Sequence, residues 1–107
     1  MAPISATEAV CWEWLNSMSA AATRKVAAEG FAQIRRDPLV EVVRQSEDLS
    51  EAAIRLFAGR LDKVWSLTDC LSFVVMERRN IRDALTADNH FEQAGFRAVL
   101  SHTPPVP

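Results

Sequence analysis

Trp65-Ser66-Leu67-Thr68-Asp69-Cys70-Leu71-Ser72-Phe73 is the stretch on which the reading of the fold turns. Ser66 and Asp69 have the spacing of a capping box, in which each side chain satisfies the other residue's backbone N–H. A helix over 67–79 follows from it. Leu67, Cys70, Leu71, Val74 and Val75 make its main apolar stripe. Asp69 points away from that stripe and shares its side with Phe73 at i+4 and Met76 at i+7. The helix is therefore apolar on two faces, and a carboxylate placed there is costly unless something positive lies beside it.

Downstream, Ala84 to Ala87 reads as a short strand and Asp88 to Ala94 as a short helix stopped by Gly95. Phe96 to Leu100 reads as a last strand. Upstream, residues 7–18 read as a helix, with Val10, Cys11, Trp14, Leu15 and Met18 within an arc of about 140° facing the core. Ser19 is the expected cap of a second helix running to Arg36, with Ala22, Val26 and Ile34 along its packed side. Asp37-Pro38 ends that helix, because a residue before proline is pushed out of helical geometry. Leu39 to Val43 is short and β-branched, hence a strand. A third helix over 48–58 buries Leu49, Ala52, Ala53, Leu56 and Phe57 and stops at Gly59, and a polar link from Arg60 to Trp65 completes the chain. Helices alternating with strands imply an α/β fold with a short parallel sheet.

The 107 residues are 49% hydrophobic and 24% charged, enough for one core and too few for two. One domain over residues 1–100 with a disordered tail over 101–107 is expected. No run of about 18 apolar residues occurs, and the start lacks the layout of an export signal, so a cytoplasmic protein is expected. Cys11 and Cys70 have no metal-ligand spacing and read as buried thiols. A net charge of −2 gives no bulk attraction to nucleic acid. Local basic faces remain at Arg24, Lys25, Arg35 and Arg36, and at Arg78, Arg79 and Arg82, where solvated helix surface explains them equally.

Three acids stand out: Glu13, Asp69 and Asp88. Taken singly, Asp69 is a capping-box acid, Asp88 an N-cap and Glu13 a solvated side chain about 60° outside its helix's apolar arc. Taken together, Asp69 and Asp88 lie at helix starts and Glu13 in the second turn of its helix. In a βα-alternating fold those positions gather on the ligand-binding edge of the sheet. Converging carboxylates repel, and a hard divalent cation, Mg²⁺ or Mn²⁺, resolves the repulsion.

Residues 65–73 closely resemble the third conserved block of PIN domains. Ala84-Leu85-Thr86-Ala87-Asp88-Asn89-His90-Phe91 with Gly95-Phe96 resembles the block after it, and Thr7 to Asn16 resembles the segment that carries the family's Glu. The resemblance runs from about Ser5 to Leu100 and is greatest to the stand-alone VapC-type toxins. It implies a three-layer α/β/α fold and a metal-dependent ribonuclease acting on RNA and neutralised by a cognate antitoxin. Glu13, Asp69 and Asp88 would be its catalytic, metal-holding carboxylates, with Thr68 and Thr86 tuning them. His90 reads as a helix-start packing residue, because a lone histidine needs a placed partner to act. The family's opening strand with its first Asp has no counterpart here. Met1 to Ser5 is too short for it, so an N-terminally truncated PIN domain is expected, with the other strands deprived of a shared neighbour. The competing reading is a non-catalytic interaction module, in which apolar faces around Trp12, Trp14 and Phe57 bind an antitoxin-like helix or a second copy as a homodimer.

Overall fold

The computed structural model describes residues 4–102, in two compact units that divide between Glu47 and Asp48. In the first, β1 (Ile4–Thr7) leads into α1 (Glu8–Ser17) and α2 (Ala21–Arg36), and β2 (Val40–Val43) returns parallel to β1. Ile4 lies opposite Val40 and Thr7 opposite Val43. The pairing starts where the Ile4 N–H donates to the Leu39 carbonyl at 2.7 Å. The strand at 4–7 is not among the strands read from sequence, and β2, expected to lack its neighbour, has one. Thr7 hid the strand by serving two elements. It is the last residue of β1, buried, and its Oγ1 accepts from the Val10 N–H at 3.2 Å as the N-cap of α1.

The helix faces of this unit also differ from the sequence reading. Ser19 does not cap α2. Its hydroxyl donates back to the Asn16 carbonyl at 2.7 Å, and Ala20 occupies the cap position without a side-chain bond. Ala22 is exposed and Val26 is 67% exposed, whereas Ala27 is buried with Thr23, Phe31 and Ile34 partly covered. The packed face is thus the small-residue one, where Gly30 lies beside the Trp14 ring. On α1 only Cys11 of the expected stripe is fully buried. Asp37 ends α2 as expected, its Oδ1 accepting from the Leu39 N–H at 2.8 Å.

The second unit holds α3 (Glu47–Gly59), α4 (Leu67–Arg78), β3 (Asp83–Ala84), α5 (Asn89–Gln93), β4 (Arg97–Ala98) and a closing 3₁₀ turn (Val99–His102). Here α4 is the core. Cys70, Leu71, Ser72, Phe73, Val75 and Met76 are all buried, as a helix apolar on both faces must be. It ends at Arg79 with Asn80 in the left-handed region (φ 56°), the Asn80 N–H donating to Glu77 and the Ile81 N–H to Met76, a Schellman closure. On α3, Ala53 is buried while Phe57, expected inside, is 50% exposed.

Phe73 is the hub of an aromatic cluster. Trp65 and Phe91 meet it edge-on at 5.0 and 4.9 Å between ring centroids, and Phe96 stacks on it at 5.8 Å. Trp65, assigned to a polar link from sequence, is buried and donates its indole N–H to Gln93 Oε1 at 3.0 Å. β3 and β4 pair parallel through Asp83–Arg97 and Ala84–Ala98, shorter than the 84–87 and 96–100 expected. The Thr86 N–H turns back to the Ala84 carbonyl at 2.9 Å, which ends β3, and the Leu100 N–H reaches the Thr86 carbonyl from within the 3₁₀ turn. Gly95 follows α5 at φ +94°, a conformation that side chains resist. Ser101 and His102 close the turn, and the rest of the expected tail lies outside the described residues.

Because one ring holds three partners, Phe73→Ala should destabilise the chain by about 3–5 kcal/mol, the range for truncating a core aromatic. Leu61→Ala, at a side chain 93% exposed, should stay within about 0.5 kcal/mol. Urea unfolding of both variants measures the difference.

Candidate metal centre

Asp69 is in the first turn of α4, and its local role is the one its spacing implies. Ser66 Oγ accepts from the Asp69 N–H at 3.0 Å, and Asp69 Oδ2 accepts from the Ser66 N–H at 3.1 Å. Asp88 is the N-cap of α5, its Oδ1 accepting from the His90 N–H at 2.9 Å. The turn before it is set by Thr86, whose Oγ1 accepts from the Asp88 N–H at 3.1 Å.

The two caps converge. His90 Nδ1 lies 3.0 Å from Asp69 Oδ2 and 3.6 Å from Asp88 Oδ1. One ligand atom from each of Asp69, Asp88 and His90 falls within 4.8 Å of the others. Side-chain exposure is 19% for Asp69, 25% for His90 and 44% for Asp88. The cluster is therefore reachable from solvent at one side and covered at the other. The hydrogen-bond partner of the carboxylate on the second face of α4 is the His90 ring. Its assignment from sequence as a packing residue is thereby corrected, since the missing partner is Asp69. The readable signal was the Asp88-x-His90 spacing at a helix start, which turns a cap and an imidazole toward the same point.

The donor set suits a divalent cation. Oxygens bound at about 2.1 Å in an octahedral site stand about 3.0 Å apart, and tetrahedral ligands somewhat farther. The observed 3.0 Å matches the first, and 3.6 Å lies slightly beyond the second, which is about 3.4 Å. Glu13 is on an exposed part of α1 in the other unit. In that unit Glu8, which begins α1, accepts from the Gln45 N–H. Among the basic residues, Arg78 is ion-paired with Asp48 and Arg82 with Glu77.

The structure superposes on the crystal structure of Mycobacterium tuberculosis VapC20, a Sarcin-Ricin loop cleaving toxin, with a TM-score of 0.79. The match covers 92% of this chain and 75% of that one at 27% identity. What the fold defines is a PIN-type α/β protein. The curated 23S rRNA-specific endonuclease VapC20 of M. tuberculosis, from strains CDC 1551 and H37Rv, is 34% identical to this chain over 70 residues. Those residues are 65% of this chain and 53% of the relative, so the chain spans about half the length of the curated relatives it matches. No family model matches. Over these matched residues and in fold, the chain is similar to the PIN-domain proteins of VapC type.

Burial pushes the Cys70 thiol up from its ordinary value, and the adjacent Asp69 charge pushes it further. Cys11 is raised in the same way by burial and by Glu8. Both thiols stay protonated through pH 8, so alkylation by iodoacetamide in the native chain should be slower than in urea. Asp69→Asn removes one of the two causes at Cys70 and should speed its modification while leaving Cys11 unchanged, as peptide mapping would show.

Proposed function

We propose that the chain is a metal-dependent ribonuclease of PIN type. The observation that carries the reading is the convergence of Asp69, Asp88 and His90 within 4.8 Å in a chain homologous to an RNA endonuclease. Asp69 and Asp88 are the carboxylates that would hold Mg²⁺ or Mn²⁺. When bound, such a cation supplies an activated water for in-line attack on a phosphodiester and neutralises charge on the phosphoryl oxygens. The chain's own part is orientation. The capping box fixes the Asp69 carboxylate, and Thr86 with the α5 N-terminus fixes that of Asp88.

The substrate is RNA, and ribosomal RNA of the large subunit is the first to try, since that is what the relatives are named for. A cognate antitoxin and a cytoplasmic setting belong to the same reading. Among the described residues no helix is long and apolar enough to cross a membrane. The family resemblance also assigns Glu13 a metal role, which stands on its own test: Glu13→Gln should weaken Mn²⁺ binding, and unchanged affinity would remove the assignment.

A second reading, a binding module without catalysis, is favoured by one feature of the first unit. A groove of about 320 Å³ between α1 and α2 is lined by Trp12, Leu15, Met18, Ala27 and Phe31, with Trp12 62% exposed. Large exposed aromatics are frequent interface anchors. An antitoxin-like helix or a second copy of the chain would cover them.

Cleavage of 23S rRNA by the purified chain should require Mn²⁺ or Mg²⁺ and stop with EDTA. It should fall in Asp69→Asn and in Asp88→Asn by roughly 10²-fold or more, the scale of removing one electrostatic stabiliser. Cleavage that survives EDTA and both substitutions overturns the nuclease reading. A folded chain that binds no divalent cation and elutes as a dimer would favour the binding module.

A further inference from the structure

We infer that His90 is itself a ligand of this centre, through Nδ1, and that the mixed nitrogen–oxygen donor set favours Mn²⁺ over Mg²⁺. The inference rests on the metal-site reading above and deepens it.

Three observations carry it. Nδ1 is the ring atom that faces both carboxylates, at 3.0 Å from Asp69 Oδ2 and 3.6 Å from Asp88 Oδ1. Those are spacings between neighbouring ligands of one small cation, whose bonds are about 2.0–2.2 Å long. Next, the ring is held at this point from both sides. Its own backbone N–H is bound by Asp88 Oδ1, and the adjacent Phe91 packs edge-on against Phe73 of α4, one turn beyond Asp69. A histidine free to swing into solvent would not be placed so. Finally, the ring is three-quarters covered, so it contributes to the cluster rather than to the surface.

The chemistry then sets the preference. Mg²⁺ is a hard cation that takes oxygen and keeps its waters, whereas imidazole suits Mn²⁺ and the later divalent ions. An all-oxygen site would also bind Mn²⁺ somewhat better, so the informative quantity is the ratio of the two affinities and its change when the nitrogen is removed. In the metal-free chain the same Nδ1 is hydrogen-bonded to Asp69. To hold a cation, Nδ1 would exchange that bond for one to the metal.

The test is calorimetric titration of the full chain with MnCl2 and with MgCl2, for wild type, His90→Ala and His90→Asp, together with pulsed EPR of the Mn²⁺-loaded wild type. The expected result is a directly bonded nitrogen in the EPR signal that disappears in His90→Asp. Mn²⁺ should bind roughly 10–100-fold more weakly to His90→Ala, the range for losing one supporting group of a metal site. In His90→Asp the Mn²⁺-to-Mg²⁺ affinity ratio should fall by about tenfold or more, toward an all-oxygen site. The nitrogen signal is read on the unmodified chain and holds even if a variant fails to fold. Mn²⁺ bound without nitrogen coupling would overturn the inference, leaving His90 as the hydrogen-bond partner of Asp69 and the nuclease reading intact. A folded wild-type chain that binds neither cation would overturn the inference and the metal-site reading together.

Discussion

Phe73 is the constraint on which the second unit depends. It sits one helical turn after Asp69, and its ring is shared by Trp65 from before α4, Phe91 from α5 and Phe96 from the entry to β4. Asp88 and His90 immediately precede Phe91, so seating that ring also sets where those polar side chains arrive. Apolar packing therefore brings the two carboxylates together, because their mutual electrostatics would not. Each aromatic contact adds about 0.5–1.5 kcal/mol beyond the area it buries, enough for three of them to hold an arrangement that like charges oppose. The Trp65–Gln93 bond secures the end of α5 as Phe91 secures its middle.

Much of this was legible in the residues, and the legible parts share a cause. The capping box at Ser66–Asp69, the Asp88 cap, the stops at Asp37-Pro38 and Gly95, and the two-faced burial of α4 are local: each is decided within a few positions of chain. What escaped was decided by distant partners or by small side chains. The strand at 4–7 carries only one large apolar residue, and its identity comes from backbone pairing with β2 some 36 positions away. The packed face of α2 is drawn by Ala27 and Gly30, which carry little hydrophobic signal, while Val26 on the other side carries more and is exposed. Trp65 resembled link because charged residues precede it, and only its ring contacts reveal it as core.

The candidate site divides along the same line. Asp69 and Asp88 could be singled out because an acid at a helix start is a pattern in sequence. His90 offers in sequence only its spacing from Asp88, because its significance is a distance to a residue 21 positions earlier. Glu13 is singled out by a different kind of signal. Its position in the chain fits a family segment, yet its side chain lies on exposed helix surface, and no local feature of the sequence separates it from Glu8, which is tied to Gln45.

The capping and metal-binding interpretations of the two aspartates were weighed as rivals, but the geometry makes the first a means to the second. A carboxylate has two oxygens and about four acceptor sites, so one cap bond does not exhaust it. A helix start offers backbone N–H groups to the carboxylate, and Asp69 and Asp88 each accept one. It also fixes the direction of the group before any ligand arrives, and that removes an ordering cost from binding. Two such caps on separate helices, brought to one point by a shared aromatic ring, amount to a preorganised pair of charged oxygen donors. The imidazole between them is the one feature that a cap does not need, and so the one that speaks for chemistry at the point where they meet.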